Sequence, residues 1–339
     1  YGPGATAVSK GTLTRSSQND EEINALYVEI QNSISSNLTS TINFRHDTLE
    51  YDYINKLDNS LNADPSYIAN TYRIGFNYKI NTNNNIYTSY ATGFRAPTAE
   101  QISGNINKLQ SDPSLDIDTN LEIETTNNIE VGVRGKSDSL NYDASIYQLD
   151  RENYIGVRAG NYMWDSDEDA DKAVGNLGDM RSRGFELVLN NNDKRKTVSF
   201  SVAYTYLDAK FKEYSINPND GKTKISLNGN TVPRTSKHTL NFALDFKLIE
   251  GLTLSPEIIA KSGFYADESN NYKQPGYEVV NLRSEYKVNE SLELFGKIEN
   301  LLNKDYNQFV NVGYEKNMED ATIRVAAPRA YYAGLRYKF

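Results

Sequence analysis

Tyr331-Tyr332-Ala333-Gly334-Leu335-Arg336-Tyr337-Lys338-Phe339 closes the chain and decides how the rest is read. Side chains alternate across an extended strand with period two. Tyr331, Ala333, Leu335, Tyr337 and Phe339 therefore share one apolar face, while Tyr332, Gly334, Arg336 and Lys338 share the other. The terminal strand of a soluble sheet would alternate in the same way. A chain that ends mid-strand on an aromatic, with lipid-compatible side chains on one side, points instead to the closing strand of a membrane barrel.

The same alternation recurs upstream. Val198, Phe200, Val202, Tyr204 and Tyr206 oppose Ser199, Ser201, Ala203 and Thr205. Leu240, Phe242, Leu244, Phe246 and Leu248 oppose Asn241, Ala243, Asp245 and Lys247. Tyr72, Ile74, Phe76, Tyr78 and Ile80 oppose Arg73, Gly75, Asn77 and Lys79. The pattern predicts strands near 22–34, 38–54, 68–81, 84–95, 124–137, 139–155, 179–193, 196–214, 233–248, 251–265, 274–288, 291–303 and 328–339. No helical period is read between them. About thirteen such strands in series need one very large sheet or a barrel.

The connections sort by length. Ser35-Ser36-Asn37, Thr82-Asn83-Asn84, Lys136-Ser137-Asp138, Asn191 to Arg195, Ile249-Glu250-Gly251 and Asn289-Glu290-Ser291 are short turns. Between them lie long polar loops at 55–67, 96–123, 156–178, 215–232, 266–273 and 304–327. Short turns at one end and long loops at the other are the habit of outer-membrane barrels. The expected fold class is all-β, an antiparallel transmembrane β-barrel. Its short turns and C-terminus lie on the periplasmic side, and residues 1–21 begin outside the cell as a loop or partial strand.

Bulk composition agrees. There are 339 residues and no Cys, which removes disulfide scaffolds, thiol nucleophiles and Cys-based metal sites. Mean hydropathy is -0.65, and no apolar run reaches the ~18 residues of a membrane helix. Barrel strands are apolar only at every second position, so that average says nothing against them. Net charge is -9, which argues against nucleic acid as a partner, since neutralising phosphates needs a basic face. The chain opens at Tyr1 without Met. Bacterial single-chain barrels have even strand numbers, and an odd count entered from outside leads us to expect a preceding N-terminal part.

Four stretches resemble the barrel of TonB-dependent outer-membrane receptors. Phe94-Arg95-Ala96-Pro97, preceded by Gly93, resembles the box where a strand leaves the membrane. Asn120-Leu121 through Glu130-Val131-Gly132 resembles the segment that precedes and opens the next strand, although Asp118-Thr119 stand before it and its Pro is absent. Arg183-Gly184-Phe185-Glu186 and Asn300-Leu301-Leu302-Asn303-Lys304-Asp305-Tyr306 resemble a strand start and a strand end. Their order and the terminal Phe339 make the resemblance specific, and it covers roughly 25–339.

The resemblance implies that 22–339 is the C-terminal part of a barrel of about 22 strands. An N-terminal plug, not in this chain, would occlude its lumen. It also implies import of a ferric siderophore into the periplasm, driven by TonB, ExbB and ExbD through the missing part. Outer-membrane lipid is an expected partner. So is the barrel assembly machinery, with Tyr337 and Phe339 as the assembly signal. A haem or haemoglobin receptor of the same family, or a passive outer-membrane channel, is the alternative.

Little chemistry of catalysis is legible, and the chain is read as a non-enzyme without a resident cofactor or metal. Its His residues are His46 and His238, and no nucleophile-base-orienter spacing can be built from them. Haem iron needs an axial His, Tyr or similar ligand, and residues 98–120 hold neither. The acidic run Asp165-Ser166-Asp167-Glu168-Asp169-Ala170-Asp171 breaks the calcium-loop pattern at Ala170 and Asn176. It reads as a solvated loop.

Ligand contacts are expected instead from aromatic and basic residues of the long loops. The candidates are Arg158, Tyr162 and Trp164, then Tyr265 and Tyr272, then Phe309 and Tyr314. Aromatic faces and charged forks suit a bulky, partly aromatic anion. The competing role is a membrane-interface girdle. Arg73, Arg134, Arg283 and Arg336 are assigned to the lumen, because an Arg on the lipid face costs ~2–4 kcal/mol at mid-membrane.

Overall fold

The computed structural model describes residues 13, 16–111, 120–157, 174–191, 197–216, 225–312 and 318–339. In chain order its first strands are β1 (Ser17–Ser33), β2 (Leu38–Asn55), β3 (Ser66–Lys79), β4 (Asn84–Arg95), β5 (Glu124–Lys136), β6 (Asn141–Glu152) and β7 (Ile155–Val157). Next come β8 (Val174–Asn176), β9 (Gly178–Asn190), β10 (Val198–Ile216), β11 (Ile225–Ser226), β12 (His238–Ile249) and β13 (Leu252–Lys261). The last are β14 (Phe264–Tyr265), β15 (Lys273–Gln274), β16 (Tyr277–Lys287), β17 (Leu292–Glu299), β18 (Asn307–Asn311), β19 (Thr322–Val325) and β20 (Ala330–Tyr337). A helix, α1 (Ala99–Ser111), stands between β4 and β5.

Among the described residues, one 14-stranded sheet carries the architecture, in the order β1-β2-β3-β4-β5-β6-β9-β10-β12-β13-β16-β17-β20, with β11 pairing off β10. Every pairing along this path is antiparallel. The all-β expectation and its strand path hold. Several details differ, among them the expected polar loop 304–327, which contains the hairpin β18/β19, and the expected strand 233–248, which begins only at His238. The first strand begins at Ser17 rather than near 22. Expected strands 139–155 and 251–265 each end early, at Glu152 and Lys261, and the leftover residues enter small hairpins β7/β8 and β14/β15. The expected polar loop 96–123 contains α1.

Short turns collect at one end of the sheet. Ile34 N–H donates to the Leu38 carbonyl at 2.9 Å, Ser137 N–H to Leu140 at 2.8 Å, and Val288 N–H to Leu292 at 2.9 Å. At Gly251 φ is +80° and an added Cβ would sit 2.5 Å from the Lys287 carbonyl. Only glycine fits that turn without strain. The small hairpins and α1 all lie in the long connections at the other end.

Register fixes two faces. Val202 on β10 stands opposite Leu189 on β9 and Phe242 on β12, and Phe242 stands opposite Ile258 on β13. These residues belong to one apolar band that also takes in Ile146, Phe185, Tyr204 and Leu244. From Val198 to Tyr206 the band climbs about 21 Å, given ~3.4 Å per residue and a tilt of ~40°. An outer-membrane apolar belt is about 25 Å tall.

The apolar band has nothing packed over it: Ile146 is 59% exposed and Leu335 66%. Buried apolar clusters, by contrast, lie at the long-loop end, around Leu49, Leu121, Phe211 and Phe264. A sheet that shows its apolar face and buries none of it is built for a solvent of hydrocarbon.

The other face is polar and self-paired. Arg134 meets Asp143 at 2.6 Å, Arg336 meets Glu293 at 2.6 Å, and Arg283 reaches Glu285 at 3.6 Å. Arg73 makes no such pair among the described residues. In the terminal strand, Gly334 is set by its neighbour. The Phe295 ring lies across it so closely that a Cβ would come within 2.4 Å of the ring.

Candidate functional site: the long-loop end

The Phe94-Arg95-Ala96-Pro97 stretch is the hub of the loop end. Phe94 and Ala96 pack on the buried cluster of Leu49, Tyr51 and Ile102, and Pro97 is fully buried. The Arg95 guanidinium pairs with the buried Glu124 carboxylate across the β4–β5 register and donates to the Ile155 carbonyl at 3.2 Å. Glu124 in turn accepts from the Ile155 N–H at 2.7 Å. Two strands and the β7/β8 hairpin are thus tied by one ion pair.

Helix α1 follows directly from this hub. Thr98 and Gln101 cap each other: Thr98 N–H donates to Gln101 Oε1 at 3.0 Å, and Gln101 N–H to Thr98 Oγ1 at 3.2 Å. This reciprocal pair satisfies helix N-terminal donors. Ile102 drops into the Leu49/Tyr51 cluster, and buried Asn105 bonds both backbone groups of Val174 at 2.8 and 2.9 Å. The Thr98-Ala99-Glu100-Gln101 spacing is the one sequence signal for this helix.

Next around the rim, Leu177, Phe211, Tyr214 and Leu227 form a buried cluster, with Phe211 and Tyr214 stacked at 3.9 Å. Tyr154 packs on it, and burial, then the nearby Glu124 carboxylate, raises its phenol above the ordinary range. The Tyr214 hydroxyl reaches Glu268 Oε1 at 3.4 Å, and Asn230 donates to the Glu268 carbonyl at 3.0 Å. Burial pushes the Glu268 carboxyl upward, against the opposing pull of Arg234 and the Tyr214 hydroxyl.

That shift has a testable sign. A raised folded-state pKa contributes stability that is full below the unfolded value and lost as pH rises through the folded one. The loop around Glu268 is expected to be firmest below about pH 4 and to loosen toward neutrality. Glu268→Gln keeps a neutral acceptor for Tyr214 and is expected to flatten that dependence. Hydrogen-exchange protection of residues 264–274 between acid and neutral pH is the measurement. An unaltered pH profile in the variant would count against it.

Of the seven expected ligand residues, Arg158, Tyr162, Trp164 and Tyr314 lie outside the described residues, as does the acidic run 165–171. Tyr265, Tyr272 and Phe309 are brought together. Tyr272 packs on the cluster of Phe264, Ala266, Val310 and Val312. Phe309 carries the Arg234 guanidinium 5.8 Å above its ring. Arg234 also donates to Asn311 Oδ1, and its backbone N–H donates to the Tyr265 carbonyl at 2.8 Å.

Arg234 is not among the sequence candidates. It sits in a turn at φ 61°, with no strand pattern to mark it. Its cation remains exposed beside an aromatic ring, an arrangement that can take an anionic, partly aromatic ligand. Among the described residues no three His, Asp or Glu side chains converge to hold a metal. His46 meets Asn70 at 2.8 Å and His238 meets the Tyr204 hydroxyl at 2.9 Å. Register puts both His residues on the apolar face of the sheet, on rungs with Leu26 and Tyr206.

Comparison with known proteins agrees with this architecture. Residues 1–301 match the family described as TonB dependent receptor-like, beta-barrel. The probable TonB-dependent siderophore receptor PiuA of Acinetobacter baumannii is 28% identical over 244 residues, 70% of this chain and 30% of PiuA. The vitamin B12 transporter BtuB of Photobacterium profundum is 26% identical over 80% of this chain and 38% of its own length. The crystal structure of PiuA superposes with a TM-score of 0.75 at 21% identity, covering 95% of this chain and 44% of that one. Unliganded ferric citrate transporter FecA gives 0.73 at 21% identity, covering 98% and 47%. The chain thus spans less than half the length of these relatives. The apolar band is the face a barrel of this kind turns to outer-membrane lipid, and the self-paired polar face lines its lumen. With two-faced strands, sorted connections and a family match over most of its length, this chain belongs to the TonB-dependent receptor β-barrel family.

Proposed function

We propose that this chain supplies wall and extracellular loops of an outer-membrane transporter that imports a ferric siderophore. Import would be energised through TonB, ExbB and ExbD acting on a plug within the barrel, of which 22–339 is the C-terminal part. The observation that carries the substrate class is the exposed Arg234 cation over Phe309, beside Tyr265 and Tyr272, at the long-loop end. Such a pairing favours a bulky anion with aromatic parts. The names of two relatives support it, the PiuA siderophore receptor and the ferrioxamine B receptor of Salmonella typhimurium. Haem is disfavoured for this chain's own His residues, because both face lipid.

Growth of an iron-starved receptor-deletion strain carrying the gene, across ferric siderophores, haem and cobalamin, is the test. Rescue by one or more ferric siderophores is expected. Rescue by haem alone, or a phenotype seen only with cobalamin, would overturn the substrate class. With the active siderophore in hand, Arg234→Ala and Phe309→Ala are each expected to weaken its binding about 5- to 30-fold, the ~1–2 kcal/mol of a cation–π pair with its charge contacts. Surface abundance should be unchanged. Binding at wild-type strength in both variants would remove this cluster from the ligand path.

A further inference from the structure

On the lipid-facing side of β6, β9, β10 and β12, side-chain chemistry changes in layers. The rung of Leu189, Val202 and Phe242 is followed by one where Leu187 and Leu240 flank Tyr204, and then by one that carries Ile146, Phe185, Tyr206 and His238. On these two upper rungs Phe185, Tyr204, His238 and Tyr206 form an aromatic layer, joined ring to ring in that order. Two rungs of charge follow at once: Gln148, Arg183 and Asp208, then Asp150, Arg181 and Lys210. They stand about 5 and 10 Å above the aromatic layer, from ~3.4 Å per residue and a ~40° tilt. The first rung lies within the outer headgroup zone, since headgroups add about 5–7 Å on each side of the hydrocarbon, and the second lies just beyond it, where a long Lys side chain can reach back.

The cations in this patch are only partly answered by the protein. Arg181 is held by Asp150 at 2.5 and 3.1 Å, and Lys237 by Asp208 at 3.3 Å. Arg183 gives its Nε to the neutral Gln148 Oε1 at 2.8 Å. Among the described residues, no carboxylate stands within ion-pair distance of Arg183 or of the exposed Lys210 and Lys212. Lys212 acts on Asp150 only through the longer-range field, in company with Arg181. Glu152 and Asp179 are the remaining carboxylates on this face, one rung beyond Asp150 and Arg181, and Asp179 accepts from the Asn153 N–H at 3.3 Å. Arg183 and Lys210 occupy diagonal positions on paired strands, about 7–8 Å apart at Cα, which lets both heads close on one phosphate. On the neighbouring strand β5 the same two rungs carry Ile129 and Asn127, and the next, opposite Glu152, carries Thr125. The charge is therefore local rather than a general rim. Behind the patch, Met180 and Phe211 anchor the same two strands in a buried cluster.

We propose that Arg183 and Lys210, with Lys212 beside them, form a binding site for the phosphorylated headgroup of an outer-leaflet lipid. The acyl chains would lie down the Phe185–Tyr204–Val202 band beneath. The site is independent of the imported substrate, since it lies on the opposite face from the lumen.

The test uses the receptor as its gene encodes it, purified in detergent and titrated with bis-phosphorylated lipid A, with dephosphorylated lipid A, and with inorganic phosphate, bound lipid being read by native mass spectrometry. Wild-type receptor is expected to retain the phosphorylated lipid over the dephosphorylated one. Arg183→Gln with Lys210→Gln is expected to weaken retention about 30-fold, from ~1 kcal/mol per basic residue near a charged surface. Arg336→Gln, on the lumenal face, should leave it unchanged. Equal retention of the two lipids by wild type overturns the proposal even if the double variant fails to fold. So does unchanged binding in a folded double variant, or displacement by inorganic phosphate as effective as by the lipid.

Discussion

Phe242→Arg is expected to remove about 2–4 kcal/mol of barrel stability, and Ala243→Arg, one residue along, less than about 1 kcal/mol. Phe242 lies on the apolar band between Val202 and Ile258. An Arg there must hold its charge in hydrocarbon or drag headgroups and water inward. Ala243 lies between Ser201 and Glu257 on the lumenal face, where an Arg gains water and a carboxylate on the same rung. The larger loss also includes the packing of the Phe ring against its band neighbours. Urea unfolding of the receptor from lipid vesicles, followed by gel mobility with and without heating, separates the two. Equal tolerance of both variants would mean that the two faces meet the same solvent, and a larger loss for Ala243→Arg would mean that they are exchanged, since a one-residue slip of register swaps them along the whole strand.

The same two-faced logic explains how much of the fold is legible in the amino-acid sequence. The sheet is legible because each strand repeats one rule, and a membrane enforces it on every rung. The alternation predicts a strand at 196–214 where β10 runs Val198–Ile216, and one at 84–95 where β4 runs Asn84–Arg95. The loop end is far less legible, for physical reasons that differ by residue. Helix α1 offers too few apolar positions for a period, and its one clear mark is the Thr98/Gln101 cap. The hairpins β14/β15 and β18/β19 are held by contacts with each other's loops, such as the Val312 N–H to the Ala266 carbonyl at 3.1 Å. Nothing within 264–274 or 307–325 alone specifies that contact. Arg234 belongs to a site only because Phe309 and Asn311 come back to it from far along the chain. Aromatic content alone selects Tyr265, Tyr272 and Phe309, yet it cannot show that Tyr272 packs inward while Phe309 carries the cation.

Arg95→Ala is expected to unlock the loop end while leaving the sheet intact. Glu124 is buried beneath the Arg95 guanidinium, whose own side chain stays 47% exposed. Removing the cation strands a carboxylate that keeps the Ile155 N–H at 2.7 Å as its donor. An uncompensated buried charge costs ~3–5 kcal/mol, less where water can reach it. The partly open setting of Arg95 places the expected loss near ~2 kcal/mol. The effect should be local, because the residues that lose support are the β7/β8 hairpin and α1, joined to it through Asn105 and Val174. Hydrogen exchange should quicken at 99–106 and 155–157, with protection across β10 and β12 unchanged. Glu124→Gln keeps an acceptor for both donors without the buried charge, so its loss should be smaller than that of Arg95→Ala. Arg95→Ala combined with Glu124→Gln should cost less than the two single losses added together, because the stranded carboxylate is gone. Additive losses would mean that the pair does not act as one tie. The siderophore capture proposed above would give the functional readout: if this tie holds the loops in place, Arg95→Ala should weaken binding without changing surface abundance. Arg134→Ala, which breaks a lumenal pair with Asp143 far from that hub, should not.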